Sequence, residues 1–206
     1  MARLPWLKLA AHAVMAIPLF FLLTGWAELL WWNPQSRALT AEPVAYTHNA
    51  LGLAGLRALL ASLACTPVRL LTGWAKVMTL RRLLGLWAFA YAAMHLSFYL
   101  WAELDFSLAE LAAEIAERPF ILAGMLAFAS LLPLALTSTA KSIRRLGAKR
   151  WQALHRLAYL AGLAACIHFL LRVKGFQWEP WLYLALLVAL FAIRLVPRRA
   201  WRLRTS

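Results

Sequence analysis

Residues 83–101 read LLGLWAFAYAAMHLSFYLW, and residues 151–171 read WQALHRLAYLAGLAACIHFLL. Each is a nearly unbroken apolar run interrupted by histidine: His95 in the first, His155 and His168 in the second. A helix needs about 20 mostly apolar residues to cross the hydrocarbon core of a bilayer. Both runs come close to that length, and so do residues 9–30, 50–71, 120–136 and 181–196. Short connections join them. The pattern predicts an all-α membrane protein of six transmembrane helices, forming one domain over residues 1–206.

Composition points the same way. Of the 206 residues 64% are hydrophobic and 15% are charged, against about 45–50% and about 25% in ordinary soluble domains. Hydrophobicity this high excludes a disordered chain. The formal charge of +14 would suggest nucleic acid in a soluble domain, but eleven Trp and so little polar surface exclude that partner class. Pro34, Pro43, Pro67, Pro119, Pro180 and Pro197 fall near predicted helix ends, where a missing N–H costs little. Pro18 and Pro133 lie inside helices and predict kinks. The first run follows Arg3 and Lys8, as a signal peptide would. It exceeds the usual h-region of about 7–15 residues and lacks a clear cleavage site, so it reads as a retained helix. Cys65 and Cys166 form neither a disulfide framework nor a zinc spacing and read as small buried apolar residues.

Charge sets the expected orientation. With the N-terminus inside, seventeen Lys and Arg fall on the inner side, four (Arg37, Arg118, Arg172 and Lys174) fall outside, and Arg57 lies within a helix. The positive-inside rule counts Lys and Arg only. Both termini are therefore predicted in the cytoplasm of a multi-pass inner-membrane protein. The eight acids, from Glu28 to Glu179, lie on or near the outer side, and residues 103–117 form an amphipathic outer loop that can dock a partner or lie at the interface.

Ionisable groups within spans point to function by default. At about 1.5 Å per residue, His95 lies about 18 Å and His168 about 25 Å above the inner edge. Both sit in the outer half on two helices of the same direction. Two imidazoles on facing helices can ligate one haem iron axially, leaving no open position for substrate, which suits electron transfer. His155, about 6 Å deep, is a candidate ligand for a second, inner haem. Thirteen residues separate it from His168, about 140° off one helical face; either a bend at Gly162 or different partner helices would reconcile the two. His12, at similar inner depth, is a candidate partner. Arg57 reads as a propionate partner near the outer site, or as a pair with Glu28. Arg81 and Arg82, with Lys149 and Arg150, line the inner mouth and suit a propionate or a phosphate, or plain topology signalling. His48, at the outer face, is a candidate contact for quinone, propionate or a partner. Trp26 and Trp87 read as core packing, Trp31, Trp32, Trp101, Trp178 and Trp181 as an outer interfacial belt, and Trp6, Trp74, Trp151 and Trp201 as an inner one.

Several stretches together resemble the MsrQ (YedZ) family of haem-binding membrane subunits, within the ferric-reductase-like transmembrane proteins related to NADPH oxidase. They are RRLLGLWAF and MHLSFYL around His95, RPF at 118–120, ALTST at 135–139, RRLGAKRWQALHRLAYL through His155, and IHFLLRVK around His168, with WLKLAAH at 6–12 and THNALG at 47–52. They span nearly the full length. The resemblance implies haem b, one or two per chain, with His95, His155 and His168 on ligand positions, and FMN as a further cofactor. It implies electron transfer from the quinone pool or a cytoplasmic flavin reductase to a periplasmic molybdopterin methionine sulfoxide reductase, MsrP. That partner would repair oxidised proteins, so the sulfoxide site is expected on it and not here. Oxidase relatives carry a second His on the third helix; this chain has Arg81 and Arg82 there, so the resemblance leaves the inner haem's second ligand open. The competing expectations are a haem b subunit of another respiratory or metal-reducing complex, and a haem-free transporter or scaffold.

Overall fold

The computed structural model describes residues 5–196; Arg3, Pro197, Trp201 and the last four arginines lie outside them. The described residues form eight α-helices and no strand: α1 (Pro5–Ala27), α2 (Pro43–Thr72), α3 (Arg81–Leu104), α4 (Leu108–Glu117), α5 (Pro119–Leu136), α6 (Ala140–Leu154), α7 (Leu157–Arg172) and α8 (Trp178–Leu195). A π-helical turn, Glu28–Trp32, extends α1, and a 3-10 turn, Ala75–Thr79, leads into α3. Five helices are long and apolar enough to cross a bilayer, and α6 with α7, bent by 42°, makes up to six.

The expected 151–171 helix is broken. Trp151–Leu154 close α6, His155 and Arg156 form the bend, and α7 starts at Leu157. The bend is not at Gly162, because that glycine is a packing contact. A Cβ there would meet Leu63 of α2 at 3.1 Å and Leu187 of α8 at 3.2 Å. The basic stretch 140–150, expected as a loop, is helical. Thr139 caps it by accepting from the Ser142 amide at 3.1 Å, which satisfies one of the orphan donors of the first turn. The acidic stretch is the short amphipathic α4, capped by Ser107.

α2 packs along α3, and α5 along α7, more closely than any other pairs. The α2–α3 pair is antiparallel. Ser62 donates to the Arg81 carbonyl at 2.8 Å, while a Cβ on Gly55 would touch the Tyr91 Cβ at 3.4 Å. Small residues permit this approach, as between membrane helices generally; Ala58 and Ala88 are fully buried. α2 is the central, most buried span. The others turn large apolar side chains outward, among them Phe20, Phe21, Leu122 and Val188. Water would not tolerate contiguous surface of this kind, and lipid does.

Pro67 lies inside α2, five residues before its end, where the sequence had suggested a terminus. Proline has no N–H, so the Leu63 carbonyl loses its partner four residues on. Arg194 of α8 supplies the replacement. Its Nη2 donates to the Leu63 carbonyl and its Nη1 to the Tyr159 hydroxyl at 2.6 Å. This ties α8 and α7 to the break in α2.

Candidate functional site

The termini of α2, α5 and α8 nearest Pro43, Pro119 and Trp178 share an end with the acidic α4, here the acidic end. The opposite, basic end carries Lys76–Arg82 and α6. A cavity of ≈440 Å³ opens between α2, α3, α5 and α7 in the half nearer the acidic end. That volume is typical of cofactor pockets, about 300–1,000 Å³. Its walls carry Gly52, Gly55, Ala88, Ala92, Gly124 and Ala127, with Phe120, Phe128 and Phe169 around them. Residues this small on three helices leave a slot where ordinary side chains would close it.

His95 and His168 face each other there, ring centres 6.1 Å apart and planes at 83°. His95 Nδ1 lies 2.9 Å from the His48 carbonyl, and His168 Nδ1 lies 2.6 Å from the Phe120 carbonyl. A carbonyl only accepts, so each Nδ1 carries the proton and each Nε2 keeps its lone pair. This is the arrangement by which proteins orient metal-ligating histidines.

Both carbonyls belong to helices whose residue four positions on is glycine: Gly52 after His48 and Gly124 after Phe120. A carbonyl oxygen has two lone pairs, one used by the helix and one available. A Cβ on Gly52 would lie 3.0 Å from His95 Cε1, and one on Gly124 would lie 2.8 Å from His168 Nδ1. The missing side chains therefore admit the imidazoles to the carbonyls. The segments HNALG at 48–52 and FILAG at 120–124 perform one task on two helices. The sequence reading missed this, although two glycines in spans otherwise rich in Leu and Ala were a signal.

The geometry fits haem. Coaxial imidazoles on one metal, with bonds of about 2.0–2.1 Å and ring radii of about 1.1 Å, have centres about 6.3 Å apart. Among the described residues no cluster of three or more His, Cys, Asp or Glu side chains can hold a metal ion. Two imidazoles alone underfill a metal ion, and a planar chelate lying between them is one way to complete its ligand set.

The family described as "Ferric reductase like transmembrane component" matches residues 51–166, from the cavity face of α2 into α7. A Xanthomonas campestris protein named "Protein-methionine-sulfoxide reductase heme-binding subunit MsrQ" is 43% identical over 199 residues, covering 97% of this chain and 90% of its own length. A Rhodospirillum rubrum protein of the same name is 45% identical over 159 residues, covering 77% and 76%. The chain belongs to the MsrQ family. A Xanthomonas axonopodis pv. citri member is 42% identical over 199 residues. No solved structure matches the chain.

Of the other predicted residues of this MsrQ-family chain, His48 shares the cavity and the rest lie elsewhere. Arg57 does not line the cavity. It lies two residues beyond Gly55, about 200° around the helix, and its Nε donates to Tyr183 of α8 at 2.7 Å. Glu28, its alternative partner, instead accepts from Ser36 at 2.7 Å. The arginine at the cavity is Arg172, the last residue of α7, which donates to Asn49 at 2.5 Å. His48 is in the cavity wall, stacked on His95 with centres 4.0 Å apart and planes at 8°.

His155 lies outside this cavity, stacked on Trp151 at 3.8 Å. Its Nε2 is 3.1 Å from the Thr137 hydroxyl, which already donates to Pro133, so His155 donates there. His12 accepts at Nδ1 from Trp87 at 2.9 Å, which leaves its proton on Nε2. Its ring stands at the basic end in a second, shallower groove of ≈430 Å³ with Lys8, Thr79, Arg82 and Leu86. The structure thus gives His12 and His155 separate hydrogen-bond partners. Arg81 is the first residue of α3, at its basic end, and Cys65 and Cys166 are free and buried.

Proposed function

We propose that this chain is the haem-binding electron-transfer subunit of a methionine sulfoxide reductase, working across the bacterial inner membrane. The observation that carries the proposal is the His95–His168 pair, 6.1 Å apart across an apolar slot. Haem b, when bound, supplies a one-electron iron couple. His95 and His168 would both ligate its iron, which suits electron transfer and not chemistry on oxygen or a sulfoxide. The carbonyls of His48 and Phe120 fix both rings, which keeps reorganisation small. The apolar walls would exclude water from the bound group.

The basic end is assigned to the cytoplasm on the positive-inside rule, and the cavity then faces the periplasm. The acceptor is a periplasmic molybdopterin subunit, MsrP, which would carry the two-electron reduction of the sulfoxide. The donor, quinol or a cytoplasmic flavin reductase with FMN, is assigned to the groove of His12, Lys8 and Arg82, where the cations suit an anionic or polar head group. The whole chain serves as one domain in this reading.

Reduced-minus-oxidised spectra of the purified chain test the assignment. The expected result is a low-spin haem b spectrum, lost in His95→Ala and in His168→Ala. An unchanged haem content in both variants overturns the ligand assignment. One haem per chain assigns it to this cavity; two per chain add an inner site, for which His155 is the candidate ligand. Equal turnover of the periplasmic reductase in membranes with and without this chain would overturn the electron-transfer role.

A further inference from the structure

We infer that the acidic-end mouth of the cavity is a carboxylate clamp, built from Arg172, Asn49 and His48, that holds the propionates of the haem. The assignment rests on the haem reading above and adds where the group's charged edge lies. Arg172 is half-buried, and its guanidinium donates to the neutral Asn49. Among the described residues the salt bridge is Arg118–Glu114, so Arg172 has no carboxylate within ion-pair distance. Glu179, the carboxylate in the cavity lining, leaves it unpaired.

The second observation is independent. His48 Nε2 is buried without any hydrogen-bond partner, beside the ring of His95. An orphaned buried polar atom is costly, and His48, which carries it, lines the same cavity as Arg172 and Asn49. A guanidinium with unused donors, an amide and an unpaired imidazole therefore meet at one mouth. That set recognises carboxylate, because an oxyanion accepts charge-assisted bonds from the guanidinium and further bonds from the amide and the unpaired imidazole N–H. The slot below is apolar, so a planar amphiphile enters with its carboxylates outward. Arg57, expected from sequence to do this, is turned to Tyr183.

The test compares haem with its dimethyl ester, in which both propionates are blocked, bound to the full chain in detergent. The wild type is expected to hold free-acid haem roughly tenfold or more tightly than the ester, the size of a bond to a charged group. Arg172→Gln and His48→Phe should each erode that preference, and Arg172→Lys should keep part of it. Arg57→Gln should leave it intact. The low-spin spectrum should persist in the clamp variants, because His95 and His168 remain. A full preference for free acid in Arg172→Gln overturns the clamp while leaving the haem reading standing. A wild-type chain that takes up neither form overturns the haem reading and the clamp with it.

Discussion

Replacing Gly124 by alanine adds one methyl group, and the structure says where it goes. The new Cβ would sit 2.8 Å from His168 Nδ1 and 3.1 Å from its Cε1. Carbon contacts are comfortable at about 3.5–4.0 Å, so the imidazole must withdraw from α5 by roughly 0.7 Å or more. The Phe120 carbonyl belongs to the same helix, so withdrawal stretches the 2.6 Å bond that orients the ring towards about 3.3 Å, outside good geometry. Overpacking costs about 1–3 kcal/mol, and stranding a buried partner about 1–3 kcal/mol. Even the low sum, about 2 kcal/mol, is roughly a thirtyfold loss of haem affinity. The assay is a haemin titration of the apo-chain followed by absorbance. Gly52→Ala should do less, its Cβ meeting His95 at 3.0–3.1 Å. Gly85→Ala is the control, with an ordinary 3.4 Å contact to Ser62 and a helix-propensity gain of about 0.5–1 kcal/mol. If Gly124→Ala bound haem as tightly as wild type with an unaltered spectrum, the carbonyl–imidazole argument would be wrong.

Arg194→Met should strand the Leu63 carbonyl at a cost of about 1.5–3 kcal/mol, a fall in melting temperature of about 2–4 °C per kcal/mol. Pro67→Ala restores an amide to that carbonyl, so the double variant should lose less than the two single effects added; strict additivity by tryptophan fluorescence melting counts against the link. Thr137→Val should free the His155 ring without altering the His95–His168 spectrum, because His155 lies outside the cavity; a changed outer-haem spectrum contradicts that separation. Cys65 and Cys166 should resist maleimide until the chain is denatured, and labelling of the folded chain would contradict their burial. Single cysteines at Lys141 and Glu110 should label from opposite sides of the membrane, Lys141 from the cytoplasm; labelling from one side refutes the orientation.

The apolar runs and the shared level of His95 and His168 were legible because both are one-dimensional features. A span is a length of apolar chain, and depth is rise per residue, so His95 and His168 could be brought to similar levels by counting. Charge patterning likewise needs only order along the chain. Azimuth is different. Arg57 and Arg172 are both arginines near the acidic end, and which one meets the cavity depends on how α2 and α7 are rotated against their neighbours. The break at His155, in place of a bend at Gly162, follows from Gly162 being packed between Leu63 and Leu187. Arg194 finds the Leu63 carbonyl across 131 residues of chain. The bonds that fix the two imidazoles join residues 47 and 48 positions apart. The sequence by itself determined a basic-ended helical membrane protein with paired histidines at one level. Only the tertiary structure decided which lone pair each ring presents, which arginine guards the mouth and which carbonyl each glycine uncovers, because those depend on contacts between helices that no local rule along the chain prescribes.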